Sequence, residues 1–177
     1  MSNPWLHQKS IVIIGGTTGI GLAAAMAFVE HGAKVVVVGR NAQSVEKASS
    51  LLKENGVAII GDAVQPDTAI HAINVCLKKF GSFNGLYHVA GGSGRKFGDG
   101  PLHELTLEGW NQTLSLNLTS LMLSNQAAIH TFLEQKTSGS ILNMSSVLGF
   151  SPSPKFFVTH AYAASKSAVI GFTKSIA

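Results

Sequence analysis

Apolar residues concentrate in five short stretches, the first three of them unbroken, separated by segments of helical periodicity. Ile11-Val12-Ile13-Ile14 is the first run, and Val35-Val36-Val37-Val38, led by Lys34, is the second. Val57-Ala58-Ile59-Ile60, residues 86–90 and residues 140–145 are the other three. Runs without polar alternation are what strands covered on both faces need. Between them lie helices. Residues 22–30 are rich in alanine, a strong helix former, and Gly32 stops them. Residues 42–55 place Val45, Ala48, Leu51 and Leu52 at helical spacing, and Gly56 closes that helix. Pro66-Asp67 opens a helix with Ile70, Ile73, Leu77 and Phe80 on one side, ended by Gly81.

The second half follows the same scheme with longer interruptions. Residues 91–103 carry five glycines and Pro101 without periodicity and are predicted to form a flexible loop. Thr106 is a suitable N-cap for one long helix to about Glu134, with Trp110, Leu114, Asn117, Leu121 and Ala128 along it. Residues 148–160 contain Pro152 and Pro154 and form a loop, and a last helix begins near Ala161. Strands alternating with helices through short links predict an α/β protein. Its fold is a Rossmann-like, doubly wound parallel sheet with helices on both faces, since right-handed crossovers place them there. No repeat, low-complexity tract or linker divides residues 1–177, so a single domain is expected.

Composition narrows the class. Of the 177 residues, 45% are hydrophobic and 12% charged, which suits a globular chain with a buried sheet. The net charge is +4, Arg40 and Arg95 are the only arginines, and Lys78-Lys79 is the only adjacent pair of lysines. No basic run reads as a nucleic-acid surface. Cys76 is the sole cysteine, so an intrachain disulfide or a cysteine metal cluster is excluded, and no metal site is expected. It lies among Ile73, Val75 and Leu77 and reads as a buried thiol. Residues 1–10 lack the layout of a signal peptide and no run approaches membrane-spanning length. The expectation is a soluble, cytoplasmic protein.

Two stretches carry chemistry. The first is Gly15-Gly16-Thr17-Thr18-Gly19-Ile20-Gly21, between the first strand and the first helix. Glycine admits positive φ and close approach of a ligand to the backbone. The helix that follows aims free N–H groups and the positive end of its dipole back at the turn, which makes an anion site. At the start of an alternating strand/helix chain, the expected anion is a dinucleotide pyrophosphate. The spacing is Gly-x-x-x-Gly-x-Gly rather than Gly-x-Gly-x-x-Gly.

The second is Tyr162-Ala163-Ala164-Ser165-Lys166, which puts a phenol and an ammonium on one helix face. A free tyrosine has a pKa of about 10. A nearby cation favours the phenolate and brings proton exchange toward neutral pH. Ser146 lies just past the carboxyl end of the fifth strand, where ligands of open parallel sheets gather, and its hydroxyl could donate to a substrate carbonyl. Asn117 sits mid-helix among Leu114, Leu116, Leu118 and Leu121, a poor position for asparagine unless its side chain has partners. It reads either as a solvated polar position or as a hydrogen-bond relay that also satisfies a backbone carbonyl.

Taken together, these residues resemble the short-chain dehydrogenase/reductase family in its classical branch, over essentially the whole chain. Gly15 to Gly21 look like that family's cofactor turn. Ser146, Tyr162 and Lys166 fall in family order, and Asn117 in Asn117-Leu118-Thr119-Ser120 matches the fourth catalytic member. The resemblance implies an oxidoreductase that moves a hydride between NADP(H) and a carbonyl or alcohol substrate. Gly15, Thr17, Thr18, Gly19, Ile20 and Gly21 would hold the dinucleotide, Asp62 and Ala63 its adenine end, and Ala90 and Gly91 would line it further along. Tyr162 would serve as general acid/base, and Lys166 would lower its pKa and hold the nicotinamide ribose. Ser146 would orient the carbonyl, and Asn117 would serve a water relay. An acid after the second strand would favour NAD. This chain has Gly39-Arg40, and a guanidinium matches a 2′-phosphate, so NADP is favoured over NAD. The family also implies a homo-oligomer acting on a small molecule, with no nucleic acid or membrane partner.

Two features depart from the family pattern. His88-Val89-Ala90-Gly91 stands where Asn-Asn-Ala-Gly is usual, so the tie of the first asparagine would fall to a His88 ring nitrogen or be absent. Family members also continue beyond the position of Ala177 with further strands and much of the substrate pocket. The expectation is therefore a C-terminally truncated domain, lacking the last strands, with an exposed apolar edge at its fifth strand and poor cofactor binding alone. The alternatives are a non-catalytic nucleotide-binding or interaction fragment, or a ketoacyl-carrier reductase in which Arg95 and Lys96 meet an acidic carrier. Of the histidines, only His160, two before Tyr162, is placed to line a substrate site.

Overall fold

The structure, a computed structural model, describes residues 4–177. Met1 to Asn3, the start of the stretch read above as free of a signal-peptide layout, lie outside the described residues. The chain forms two compact units. One runs through Val89 and resumes over Leu123–Leu142, and the other comprises Ala90–Met122 and Asn143–Ala177.

The first unit carries the sheet. Its strands are β1 (Ser10–Ile14), β2 (Lys34–Gly39), β3 (Gly56–Ile60), β4 (Gly85–His88) and β5 (Ser140–Asn143, whose last residue belongs to the second unit), in the spatial order β3-β2-β1-β4-β5. β1 pairs in parallel with β2 and with β4, and β2 in parallel with β3. The all-valine run of β2 and Val12 to Ile14 of β1 are at most 1% exposed. Each such side chain contributes about 1.5–3 kcal/mol of burial, which is why these strands need no polar alternation. β5 ends the sheet, and Leu142 on it is 56% exposed, in line with the expected apolar edge.

Helices α1 (Gly19–Glu30), α2 (Ala42–Leu52) and α3 (Pro66–Phe80) connect these strands. Asn41 caps α2, its side chain accepting from the Ser44 amide at 2.9 Å. Pro66 opens α3, and Gly81 ends it at φ 76° in the left-handed region. The predicted helix over 42–55 ends early at Leu52, and Lys53–Asn55 tighten into a 3-10 turn. Cys76 on α3 is buried, as expected, and burial pushes its thiol up to about 12. From α5 (Ser120–Glu134), Phe132 stacks on Phe83 at 4.8 Å between centroids.

The second unit holds α4 (Leu107–Leu114), the first residues of α5, and α6 (His160–Ser175). The single long helix predicted from Thr106 is interrupted, because Ser115–Thr119 form a π-helical turn. Asn117 explains the interruption. Its Nδ2 donates to the carbonyl of Thr113 four residues back, at 3.0 Å, where a backbone amide would otherwise bond. The backbone shifts to longer loops, and the Ser120 amide reaches Ser115. Side chains that enter the ladder in this way are a recognised cause of helix distortion. The predicted flexible loop 91–103 is structured at its centre: Gly94–Phe97 form a 3-10 turn, and Gly94 and Asp99 are buried. Among the described residues, no helix is long and apolar enough to cross a membrane, and no group of His, Cys, Asp or Glu is arranged to hold a metal ion.

Candidate active site

In the first unit, Gly15 to Gly21 form the connection from β1 to α1. Gly15 adopts φ 89°, which side chains rarely allow. A Cβ on Gly21 would stand 2.1 Å from the Gly15 carbonyl oxygen, so the turn closes on itself only because position 21 has none. Thr17 is buried and packs against Gly39, where a Cβ would lie 1.9 Å from its Oγ1. Thr18, Gly19 and Ile20 are exposed. The Thr18 side chain makes no capping bond, and the first turn of α1 carries no acidic residue. A Cβ at Gly19 would meet nothing within 4 Å. An uncapped helix N-terminus with open space before it and no negative charge nearby fits a dinucleotide pyrophosphate.

The other predicted adenine-end residues are in the same unit. Asp62 follows β3; its Oδ1 accepts from the Val64 amide at 3.3 Å, and its carbonyl accepts from Thr68 Oγ1 at 2.7 Å. Ala63 beside it is half-buried. Arg40 follows β2 directly, is exposed, and among the described residues joins no ion pair. His88 is 1% exposed, and its Nδ1 lies 2.7 Å from Ser124 Oγ on α5. A His88 ring nitrogen thus ties β4 to α5. A cavity of about 600 Å3 in this unit is lined by residues such as Phe28, Tyr87 and Ile141 and contains none of the predicted site residues.

In the second unit three of the four predicted catalytic residues are tied into one network. Asn117 is fully buried; its Nδ2 donates to Gly92 O (2.9 Å) and Thr113 O (3.0 Å), and its Oδ1 accepts from Gly92 N (3.0 Å). The solvated alternative for Asn117 is thereby excluded. A Cβ on Gly91 would lie 2.6 Å from Asn117 Oδ1 and 3.4 Å from Lys166 Nζ, so both groups crowd the same glycine, with Ala90 half-buried just before it. Lys166 is 3% exposed, and its Nζ donates to the Met144 carbonyl at 2.9 Å. Burial lowers its pKa to about 8. The same Nζ lies 5.7 Å from the centroid of the Tyr162 ring, so the spacing of four residues places the pair together. Ser146 caps the 3-10 turn Val147–Gly149, its Oγ accepting from the Leu148 amide at 3.2 Å.

Several groups in this network were not singled out from sequence. Asp99, 2% exposed, accepts from the amides of Ala161 and Tyr162, each at 2.9 Å. Ser145 Oγ donates to the Lys166 carbonyl at 2.7 Å. The one signal for Asp99 was an acid set between two glycines in a chain with few charges. His160 lines a cavity of about 190 Å3 with Leu148, Pro152, Phe157 and Ala163, and none of the four predicted catalytic residues lines it.

The family model described as short chain dehydrogenase matches residues 9–177. The chain belongs to the short-chain dehydrogenase family. It is 32% identical over 180 residues to 2-(S)-hydroxypropyl-CoM dehydrogenase 3 of Xanthobacter autotrophicus, covering 100% of this chain and 67% of that protein. It is 36% identical over 177 residues to an NADP-dependent (R)-specific alcohol dehydrogenase of Lentilactobacillus kefiri, covering 97% of this chain and 66% of that one. A crystal structure of a short chain dehydrogenase from Bacillus anthracis superposes with a TM-score of 0.85 at 26% identity, covering 96% of this chain and 66% of that one. The short-chain dehydrogenase chain described here thus spans about two thirds of the length of these relatives.

Proposed function

We propose that this chain carries the cofactor-binding and proton-exchanging parts of an NADP(H)-dependent oxidoreductase acting on a small carbonyl or alcohol substrate. The observation that carries the reading is the buried Lys166 ammonium beside the Tyr162 ring, on a helix whose first turn and whose neighbouring π-turn are both pinned. The glycine turn, with Thr17, Thr18 and Ile20, holds the pyrophosphate, Asp62 and Ala63 hold the adenine end, and Arg40 meets a 2′-phosphate. The exposure of Arg40 and its freedom from an ion pair support NADP over NAD, as does the NADP-dependence named for the Lentilactobacillus relative. Bound there, NADP(H) supplies the hydride.

The proton falls to the protein. Tyr162 donates its phenolic proton to the carbonyl oxygen during reduction and takes it back in the reverse direction. With a pKa of about 8, Lys166 is predominantly charged at pH 7. That charge favours the phenolate and so eases release of the proton. Lys166 also reaches a ribose hydroxyl, Ser146 donates to the substrate oxygen, and Ala90 and Gly91 line the nicotinamide end. Asn117 holds the Gly92 backbone in place and anchors the relay that reprotonates Tyr162. A homo-oligomer is part of the same reading.

The test is a titration of purified protein with NADPH and NADH, followed by oxidation of NADPH with a panel of ketones and aldehydes. The reading predicts binding at one site per chain, NADPH tighter than NADH, and NADPH oxidation with at least one carbonyl. No binding of either dinucleotide, or no oxidation across the panel, contradicts it.

A further inference from the structure

Asp99 holds the residues of the second unit together at the point where their geometry matters most. It is an acid 2% exposed, and among the described residues no cation pairs with it. Its two oxygens are taken by the second and third amides of α6, those of Ala161 and Tyr162, one oxygen each at 2.9 Å. The N-cap residue, Thr159, makes no side-chain cap. A carboxylate at a helix N-terminus is favoured by the dipole and by the free N–H groups. In most helices that group comes from the N-cap itself. Here it comes from 62 residues away in sequence, so the bond fixes where α6 begins relative to another segment.

That segment is itself held at several points. The Asp99 amide donates to Gly94 O at 3.1 Å. A Cβ on Gly94 would stand 1.9 Å from Thr113 Oγ1, and one on Gly109 would stand 2.4 Å from Phe97 O. The strap therefore lies against α4 at two places where a side chain would not fit. At its other end, Gly92 exchanges both backbone groups with Asn117. Residues 92–99 thus join Asn117 at one end to the amide of Tyr162 at the other.

We propose that Asp99 is a positioning residue that sets the place of the Tyr162 phenol against Lys166 and Asn117. It acts through the backbone of Tyr162 and touches no reacting atom. This inference rests on the reading of Tyr162 as the proton-exchanging group.

The experiment separates the two. Tyr87 and Tyr162 are the only tyrosines, so protein labelled with 3-fluorotyrosine gives two fluorine resonances, assigned by Tyr162→Phe. In Asp99→Ala the Tyr162 resonance should shift or split while that of Tyr87 stays, and kcat should fall about 10- to 100-fold with KM changed less than about 3-fold. Asp99→Ala/Thr159→Asp restores a cap from within α6. It should recover thermal stability without recovering the resonance or kcat. Asp99→Asn, which retains a single acceptor, serves if the alanine variant fails to fold, with an intermediate shift expected. An unmoved Tyr162 resonance in Asp99→Ala or Asp99→Asn, or full recovery in the double variant, overturns the proposal. If the wild type shows no turnover while the resonance moves as described, positioning stands and the activity reading falls.

Discussion

The glycine turn of the first unit and the Asn117–Lys166 network of the second are held in shape by different means. At the turn, positions 21 and 39 are shaped by the absence of a side chain, since a Cβ at either would overlap Gly15 O or Thr17. In the network, positions 117, 166 and 99 are shaped by polar side chains driven almost fully out of water. A turn built on missing atoms tolerates no addition. A network built on buried polar groups tolerates no loss, because each deletion strands a partner. The comparison teaches where each kind of substitution will hurt.

The sharpest way to strain that contrast is pH, and the largest effect is expected at Lys166. Its folded pKa is about 8, below the unfolded value of about 10.4. Below about pH 8 the residue is charged in both states, and the cost of burying the charge is fully present. From there to about pH 10.4 the unfolded chain binds a proton that the folded chain does not, so unfolding free energy rises with pH. The gain is about 3 kcal/mol as an upper figure. Cys76, raised to about 12, works the other way: its thiol stays protonated in the fold while it ionises in the unfolded chain. Urea titrations of wild type and Lys166→Met at pH 7.5 and 10.5 isolate the lysine. The wild type should gain on the variant; a parallel response contradicts the buried charge.

Next comes deletion in the network. Asn117→Ala removes three hydrogen bonds and strands both backbone groups of Gly92. A loss of about 1–3 kcal/mol is expected, together with a return of residues 115–119 toward α-helical amide exchange, read by denaturation and hydrogen exchange. Addition at the turn follows. Gly21→Ala should cost about 1–2 kcal/mol through overpacking and should weaken NADPH binding by at least about tenfold, measured by calorimetry. If it binds NADPH like the wild type, the turn is not held by its missing atoms. The smallest effect is at Arg40, which among the described residues joins no ion pair. Arg40→Asp should leave stability unchanged and lower NADPH affinity relative to NADH by about tenfold, or about 1.4 kcal/mol.

The contrast also explains what could be read from the chain. Strands β1 to β3 and helices α1 to α3 were legible because runs rich in valine and isoleucine and a 3.6-residue period follow directly from burial. The closeness of Tyr162 and Lys166 was legible from their spacing, since the two need only one helix to meet. The π-turn at 115–119 was hidden because it depends on where the Asn117 side chain finds its acceptors, and Gly92 is far away in sequence. Asp99 was hidden for the same reason: nothing local says that an acid in a glycine-rich loop will cap a helix that starts at His160. Residues 91–103 read as flexible because glycine was taken for freedom, whereas Gly94 is there for close packing on Thr113.

The central claim is that the turn binds the dinucleotide while the network around Tyr162 moves the proton. Its most direct test is the single-turnover rate of Tyr162→Phe at saturating NADPH, with the dissociation constant measured on the same sample. The account predicts NADPH binding within about threefold of wild type and a rate lower by about 10²- to 10⁴-fold. A variant that binds NADPH and turns over like the wild type contradicts it.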